Sequence, residues 1–312
     1  ETVRPLLFGA GRAGAPRSLG KSMNYVQALI DGLLIGTTYS LIGVGFALIF
    51  GVMHKINLAH AAAAVAAAYV SLVLWRKLSL PIPLVMLTAA LASGAIGYVI
   101  YVACFRFIPL RNQLATLMAT VGMLIFLDEL VVHASDGKGQ DYVEILFGVS
   151  FDIGPISIRA SYLVIFALSV AVTLLLLFVL YRTRLGIATR AVAQRPIAAQ
   201  LCGISIEATN ALTFTLAGIL GGLAGAMVGA TTGQLSPLLI VPLTVKGLIV
   251  TVIGGLGSIP GAIVAGLLVG ASEQIFEILT GVHWRDMLVM GLLFLFLVFR
   301  PKGLFGRLSV RD

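Results

Sequence analysis

Few side chains in this sequence have both the chemistry and the setting to act on a solute. Asn57 and His60 open an alanine-rich apolar stretch. Polar groups in such a setting face a bundle interior or a water-filled cavity. They either line a pathway or hydrogen-bond a neighbouring helix, and the residues leave both roles open. His60 lacks a second ligand at i+3 or i+4, which argues against a metal site. Lys246 begins a glycine-broken apolar segment. It either snorkels to an outer interface or faces a cavity near a substrate carboxylate, because an isolated lysine at mid-membrane costs roughly 3 kcal/mol. Tyr39, Thr116 and Thr120 could place hydroxyls on a pathway or bond between helices. Asp128 and Glu129 fit a solvated helix end. The sequence has no Ser/His/acid set, paired carboxylates or HExxH motif, and the motifs of intramembrane proteases and acyltransferases are missing.

The elements that must position these residues are membrane helices. The chain is 59% hydrophobic and only 11% charged, with a mean hydropathy of +1.05. Soluble domains are nearer half apolar and a quarter charged. Eight apolar runs fall near 24–50, 58–75, 82–104, 114–132, 161–181, 207–230, 243–277 and 285–299. The fold class is therefore all-α, a polytopic membrane helix bundle. Net charge is +8, carried in short loops and at both ends, which fits a positive-inside bias and not nucleic-acid binding. Cys104 and Cys202 lie far apart without metal-ligand spacing and read as free thiols. Residues 1–22 are basic and rich in Gly, Ala and Pro. They read as a disordered extension, with Met23 the expected start of a permease domain over 23–307. Glycines 9, 11 and 14 mimic a dinucleotide fingerprint, and Gly20-Lys21-Ser22 a phosphate loop, but neither has the strand and helix it needs.

Loop charges orient the bundle. Residues 182–195 carry four arginines and no acid, so this loop is placed inside; the net acidic 133–160 loop is placed outside. Eight single crossings would then put both basic termini outside. Two interrupted segments offer a way out. Residues 52–75 and 243–277 are expected to be broken or re-entrant, returning to their own side and leaving both termini inside. Alternatively, 243–277 crosses twice and a further crossing lies in the N-terminal half. Within 243–277, GGLGSIPG (254–261) interrupts the helix. Lipid cannot satisfy freed backbone groups, so Gly254, Gly255 and Gly257 are candidates to line the pathway. Small residues every fourth position, Gly32/Gly36/Ser40 and Gly221/Gly225/Gly229, suit close helix approach.

The loop LGIATRAVAQRPIAAQLCGI (185–204) suggests two short helices, over 190–194 and 197–201, broken at Pro196 and stopped at Gly203. Such a unit can dock in a partner's groove or lie on lipid headgroups. Its Ala198-Ala199-x3-Gly203 spacing resembles the coupling-loop motif of ABC importer permeases. With TFTLAGILGGLAGAMVG (213–229), VIGGLGSIPGAIVAGLLVG (252–270), ATLMATVG (115–122), FRPKGLFG (299–306) and the block over 36–69, the chain is similar to the branched-chain amino acid ABC permease family, in particular the smaller of its two permeases. The resemblance runs over residues 23–306.

The resemblance implies an ATP-driven importer in the bacterial inner membrane. Its partners would be a paralogous permease, two cytoplasmic ATPase subunits, an extracytoplasmic binding protein and membrane lipid. ATP and magnesium would be bound by the ATPases, with no cofactor in this chain and no catalysis by it. Arg190, Gln194, Ile197, Ala198, Ala199 and Gly203, within a coupling loop over 182–206, would meet an ATPase. Branched-chain amino acids would be the substrate, with urea, short amides or small organic acids as alternatives. An ion-coupled secondary transporter is the reading from another class; the acid-free 57–69 stretch argues against it. The sequence departs from the family where Ala61, Ala62 and Ala67 stand in place of a glycine, an acid and a second glycine. Ile197 stands where a glutamate is expected, and Arg195 where an acid is common.

Overall fold

Backbone amides in hydrocarbon must be satisfied within their own segment, and the apolar runs achieve this as helices. The computed structural model describes residues 21–108, 113–146, 148–153, 156–300 and 303–306. Residues 1–20 of the expected 1–22 extension lie outside the described residues. The first five helices are α1 (Lys21–Met53), α2 (Ala59–Leu78), α3 (Ile82–Ile100), α4 (Gln113–Ala134) and α5 (Ala160–Arg182). Two short ones follow, α6 (Arg184–Gln194) and α7 (Pro196–Leu201), then α8 (Ile206–Thr232), α9 (Ile240–Gly254), α10 (Ile259–Thr280) and α11 (Arg285–Phe299). A π-helical turn over Tyr101–Arg106 extends α3. Strands are confined to one end of the bundle. There β1 (Gln140–Asp141) pairs with β4 (Gln234–Leu235), and β2 (Ser150–Ile153) with β3 (Ile156–Arg159), both antiparallel.

Among the described residues, eight helical segments are long and apolar enough to cross a membrane. The 15-residue α11 would extend about 22 Å. Contacts at the helix ends fix direction. Near the start of α1, Gln27 Nε2 donates to the Ser157 carbonyl of β3 at 2.7 Å; near its end, Val52 packs with Val192 of α6 and Ala199 of α7. Helix α2 runs back, so that Arg76 reaches Gln140 of β1 at 2.8 Å. Helix α3 returns, and Arg106 pairs with Glu207 at the start of α8 at 3.4 Å.

The chain therefore shuttles between a strand-bearing end and an α6–α7 end. The expected breaks are present, at 54–58 between α1 and α2 and at 255–258 between α9 and α10. Neither segment returns to its own side. Helix α2 runs the full 20 residues from the break to the strand end, and 243–277 makes two passes. No extra pass precedes α5 among the described residues. The start of α1 thus lies at the strand end, opposite α11's end, in place of the expected same-side termini. The reason is packing: α1 lies antiparallel to α10 along their length, and that direction follows from side-chain and glycine register, not from terminal charge.

Small residues make that packing possible. A Cβ on Gly32 would lie 2.6 Å from the Gly270 carbonyl oxygen, and one on Gly36 would lie 2.8 Å from that of Gly266. Ser40 completes the stripe by donating to the Ile263 carbonyl at 2.9 Å. The other stripe divides its work: Gly221 and Gly225 face α2, and Gly229 meets Tyr142 of the 133–160 loop. Alanines 59, 61–64 and 66–68 are all buried, so α2 is thin enough to sit inside the bundle. By contrast, α4 and α5 leave most of their surface outside the chain's own core.

Gly36→Val should sharply lower the melting midpoint of the purified protein, since forcing atoms into a backbone contact costs about 1–3 kcal/mol or more. Gly122→Ala and Gly291→Ala, whose new methyl groups would meet nothing within 4 Å, should melt like the parent. Equal midpoints for all three would remove the close-approach explanation.

Candidate functional site

The centre of the polar chemistry is a carboxylate that the sequence reading did not single out. Glu273 of α10 is 1% exposed. Its Oε1 accepts from Lys246 Nζ of α9 at 2.6 Å and from Arg285 Nε of α11. Tyr39 of α1 joins them, its hydroxyl 3.5 Å from Lys246 Nζ and 3.3 Å from the Arg285 guanidinium. The lysine also lies 5.2 Å from the Tyr39 ring centroid. Looser contacts rim the cluster: Arg285 to Glu277 at 3.5 Å and Lys246 to Asp286 at 3.4 Å. Four helices are tied together by one buried acid. A charge sealed from water needs such pairing, because removing one partner of a buried pair costs about 3–5 kcal/mol.

Above this cluster lies a cavity of about 420 Å³, within the usual size range for small-molecule sites. It sits in the half of the bundle nearer the strands. Lys246, Arg285 and Tyr39 form part of its wall, and Asp31, Arg159 and Glu277 supply further charge. An apolar side is made by Ile35, Val228, Leu239, Pro242 and Leu243. Of the two roles open to Lys246, the structure shows the cavity-facing one, with an ion-pair partner. Glu273 and Glu277 were legible in principle: two acids one helical turn apart inside an apolar run mark an interior face.

The other candidates lie elsewhere. Asn57 Oδ1 accepts from the Ala59 amide at 3.2 Å, at the start of α2. His60 is buried with Nε2 unpaired, wedged against Gly45 and Gly221, with the Phe46 ring edge-on at 4.8 Å. Thr116 accepts from Lys55 Nζ at 2.8 Å in the buried turn before α2, and burial pushes the Lys55 ammonium below its ordinary pKa. Thr120 donates to the Leu117 carbonyl of its own helix at 2.8 Å. None of these four lines the cavity. Among the described residues no group of three or more His, Cys, Asp or Glu could hold a metal ion.

Gly254, Gly255 and Gly257 also lie away from the cavity, at the α6–α7 end. They form a backbone latch with the chain's last described segment. Leu304 N donates to the Ile253 carbonyl at 2.7 Å and Phe305 N to the Gly254 carbonyl at 3.1 Å. Gly255 has φ +102°, and a Cβ there would lie 2.9 Å from Gly306 Cα. Gly257 packs on Gly51 of α1. The start of GGLGSIPG and the 303–306 segment are thus two halves of one contact.

The 185–204 loop forms the two expected helices, with α6 extended back to Arg184 and the break at Arg195. Arg190 stacks over Tyr181 at 5.3 Å. Gly203, at φ +83°, ends α7, where Ile204 N donates to the Ala199 carbonyl at 3.0 Å. Ala199 is buried under the end of α1, whereas Ile197 and Leu201 are 74% and 85% exposed. Gln194, Ala198 and Ala199 line an open recess of about 390 Å³ between the two helices.

Gly255→Ala should open the latch, since a left-handed conformation costs a non-glycine residue roughly 1–2 kcal/mol. The readout is chymotryptic cleavage near Phe305, expected to be faster than in the parent protein. An unchanged cleavage rate would show that the latch does not depend on this glycine.

Comparison with known proteins gives the chain its relatives. A family model described as "Branched-chain amino acid transport system / permease component" matches residues 28–298. The high-affinity branched-chain amino acid transport system permease protein BraD of Pseudomonas aeruginosa is 34% identical over 302 residues, spanning 92% of this chain and 97% of that protein. The permease protein LivH of Salmonella typhimurium is 29% identical over 301 residues, with the same two shares, 92% and 97%. A probable LivH of Methanocaldococcus jannaschii is 28% identical over 276 residues, covering 83% of this chain and 82% of its own. With its multi-pass helical bundle and a family match spanning most of its length, the chain belongs to the family of branched-chain amino acid transport system permease components.

Proposed function

We propose that this chain is the transmembrane permease subunit of an ATP-driven importer of branched-chain amino acids in a bacterial inner membrane. It works beside a paralogous permease, above two cytoplasmic ATPases that bind ATP and magnesium, and below an extracytoplasmic binding protein. It hydrolyses nothing itself. The names of its relatives support the substrate. The observation that carries the coupling is the division of faces on α7. Ala199 is packed inward, while Ile197 and Leu201, one helical turn apart, are open to a partner.

The geometry supplies a mechanical route. Helix α7 bears on Val52 at the end of α1, and α1 carries Tyr39 into the charged cluster. A helix of 33 residues spans about 50 Å. Displacement of α7 by an ATPase would therefore reach the cavity through one rigid element. ATP binding must favour one arrangement of the bundle over the other, or no switch occurs. The buried Glu273 also favours a second reading, an ion-coupled carrier that uses a buried acid; that carrier would work without ATPases and collapse with an uncoupler.

Proteoliposomes holding this chain with its paralogue and ATPases, with binding protein outside and ATP inside, should take up labelled leucine. Ile197→Asp with Leu201→Asp should reduce uptake roughly tenfold or more, because charge placed on a docking face opposes burial, while the permease pair still purifies intact. Uptake without ATP would overturn the importer reading. Full uptake by the double variant would remove α7 from the ATPase contact.

A further inference from the structure

The cavity has a charge layout that its role as a passage does not require. Its floor is cationic. Lys246 and Arg285 both lean on a single carboxylate, Glu273, which lies behind them and off the cavity surface. Their other acidic contacts, Asp286 at 3.4 Å and Glu277 at 3.5 Å, are longer than the Lys246–Glu273 pair at 2.6 Å. The Asp286 side chain is 71% exposed, so water competes for it. One positive charge at the floor is thus balanced only by long contacts that an incoming anion can displace.

The opposite charge waits on α1. Asp31 lines the same cavity, and among the described residues no cation lies within ion-pair distance of it. Its hydrogen-bond donor is the neutral amide of Gln27, at 2.9 Å. Arg159, on the same cavity wall, acts on Asp31 electrostatically but forms no ion pair with it among the described residues, so the partly buried carboxylate keeps room for an ammonium group. Between the two poles stands the apolar side made by Ile35, Leu239, Pro242 and Leu243. An anion alone would meet Asp31, and a cation alone would meet Lys246 and Arg285. A molecule with both charges and a short aliphatic side chain satisfies all three surfaces.

We propose that this cavity is a selectivity site for free zwitterionic aliphatic α-amino acids, with the carboxylate on Lys246 and Arg285 and the ammonium on Asp31. The proposal rests on the importer reading and adds to it a second selection step within the membrane subunit. Asp31, Lys246 and Arg285 become specificity-determining residues. Analogues that lack one charge are rejected here by the charge they leave unpaired.

The test is binding of labelled L-leucine to the purified permease–ATPase complex in nanodiscs, without binding protein, competed by isoamylamine (no carboxylate) and isocaproate (no ammonium). Each competitor should be roughly tenfold or more weaker than unlabelled leucine, the loss expected when a charged hydrogen-bonding group is left without its partner. Asp31→Asn should weaken leucine and narrow the gap between leucine and isocaproate while leaving the rejection of isoamylamine in place. A merely unfolded variant would not shift one competitor selectively. Equal competition by all three ligands would overturn the site, as would an Asp31→Asn complex with unchanged preference. ATP-driven leucine uptake by a complex that binds no leucine would also overturn it and leave the importer reading standing. Loss of ATP-driven uptake in the unaltered complex would instead bring down the importer reading.

Discussion

A carboxylate inside a membrane bundle must be matched by cations or it will not stay charged, and the upper half of this molecule is arranged around that constraint. Glu273 draws Lys246 from α9 and Arg285 from α11 onto one oxygen, and Tyr39 of α1 closes the group. Pairing of this kind does more to fix helix register than to add stability, because desolvation offsets much of the attraction. The pairing acts together with the glycine stripe. Tyr39 reaches the cluster because Gly32, Gly36 and Ser40 let α1 lie backbone-to-backbone on α10. Apolar packing alone gives little direction in lipid, where tails are as apolar as leucine. Contacts between small residues and one buried ionic group supply that direction.

The two ends of the bundle do different chemistry. At the strand end, charged and apolar walls enclose a space of solute size. At the other end α7 is seated under α1 through Ala199, and the α9–α10 break is tied by backbone hydrogen bonds to the 303–306 segment. The second end is built for rigid attachment. Helix α1 belongs to both ends, packing with α7 through Val52 and reaching the charged cluster through Tyr39. Past its end comes the turn at 54–58, where Lys55 Nζ donates to Thr116.

Much of this was legible in the sequence, and the pattern of what was not is informative. Apolar runs, the two breaks, the paired short helices of the 185–204 loop and the stop at Gly203 all follow from local rules, and the structure has them. Partnerships between helices do not follow from local rules. Lys246 drew notice by its setting, but its counter-charge lies 27 positions away on another helix. GGLGSIPG was read as pathway because broken membrane helices often line cavities; the structure shows the Ile253 and Gly254 carbonyls accepting from Leu304 and Phe305. His60 and Asn57 stood out as polar residues in an alanine stretch, and the structure places them against Gly45 and at the start of α2. The direction of α1 was misread from terminal charge, because antiparallel packing on α10 is invisible in a hydropathy profile.

The most direct test of the central claim is a double-mutant cycle between Lys246→Met and Glu273→Gln, read as the thermal midpoint of the complex in nanodiscs. If Glu273 clamps the cavity, removing it should destabilise strongly, and the second change should then cost much less than it does alone. The coupling should be on the order of 0.5–3 kcal/mol, as for residues in direct contact. Additive shifts, with no coupling between the two positions, would contradict the claim that this buried pair organises the site.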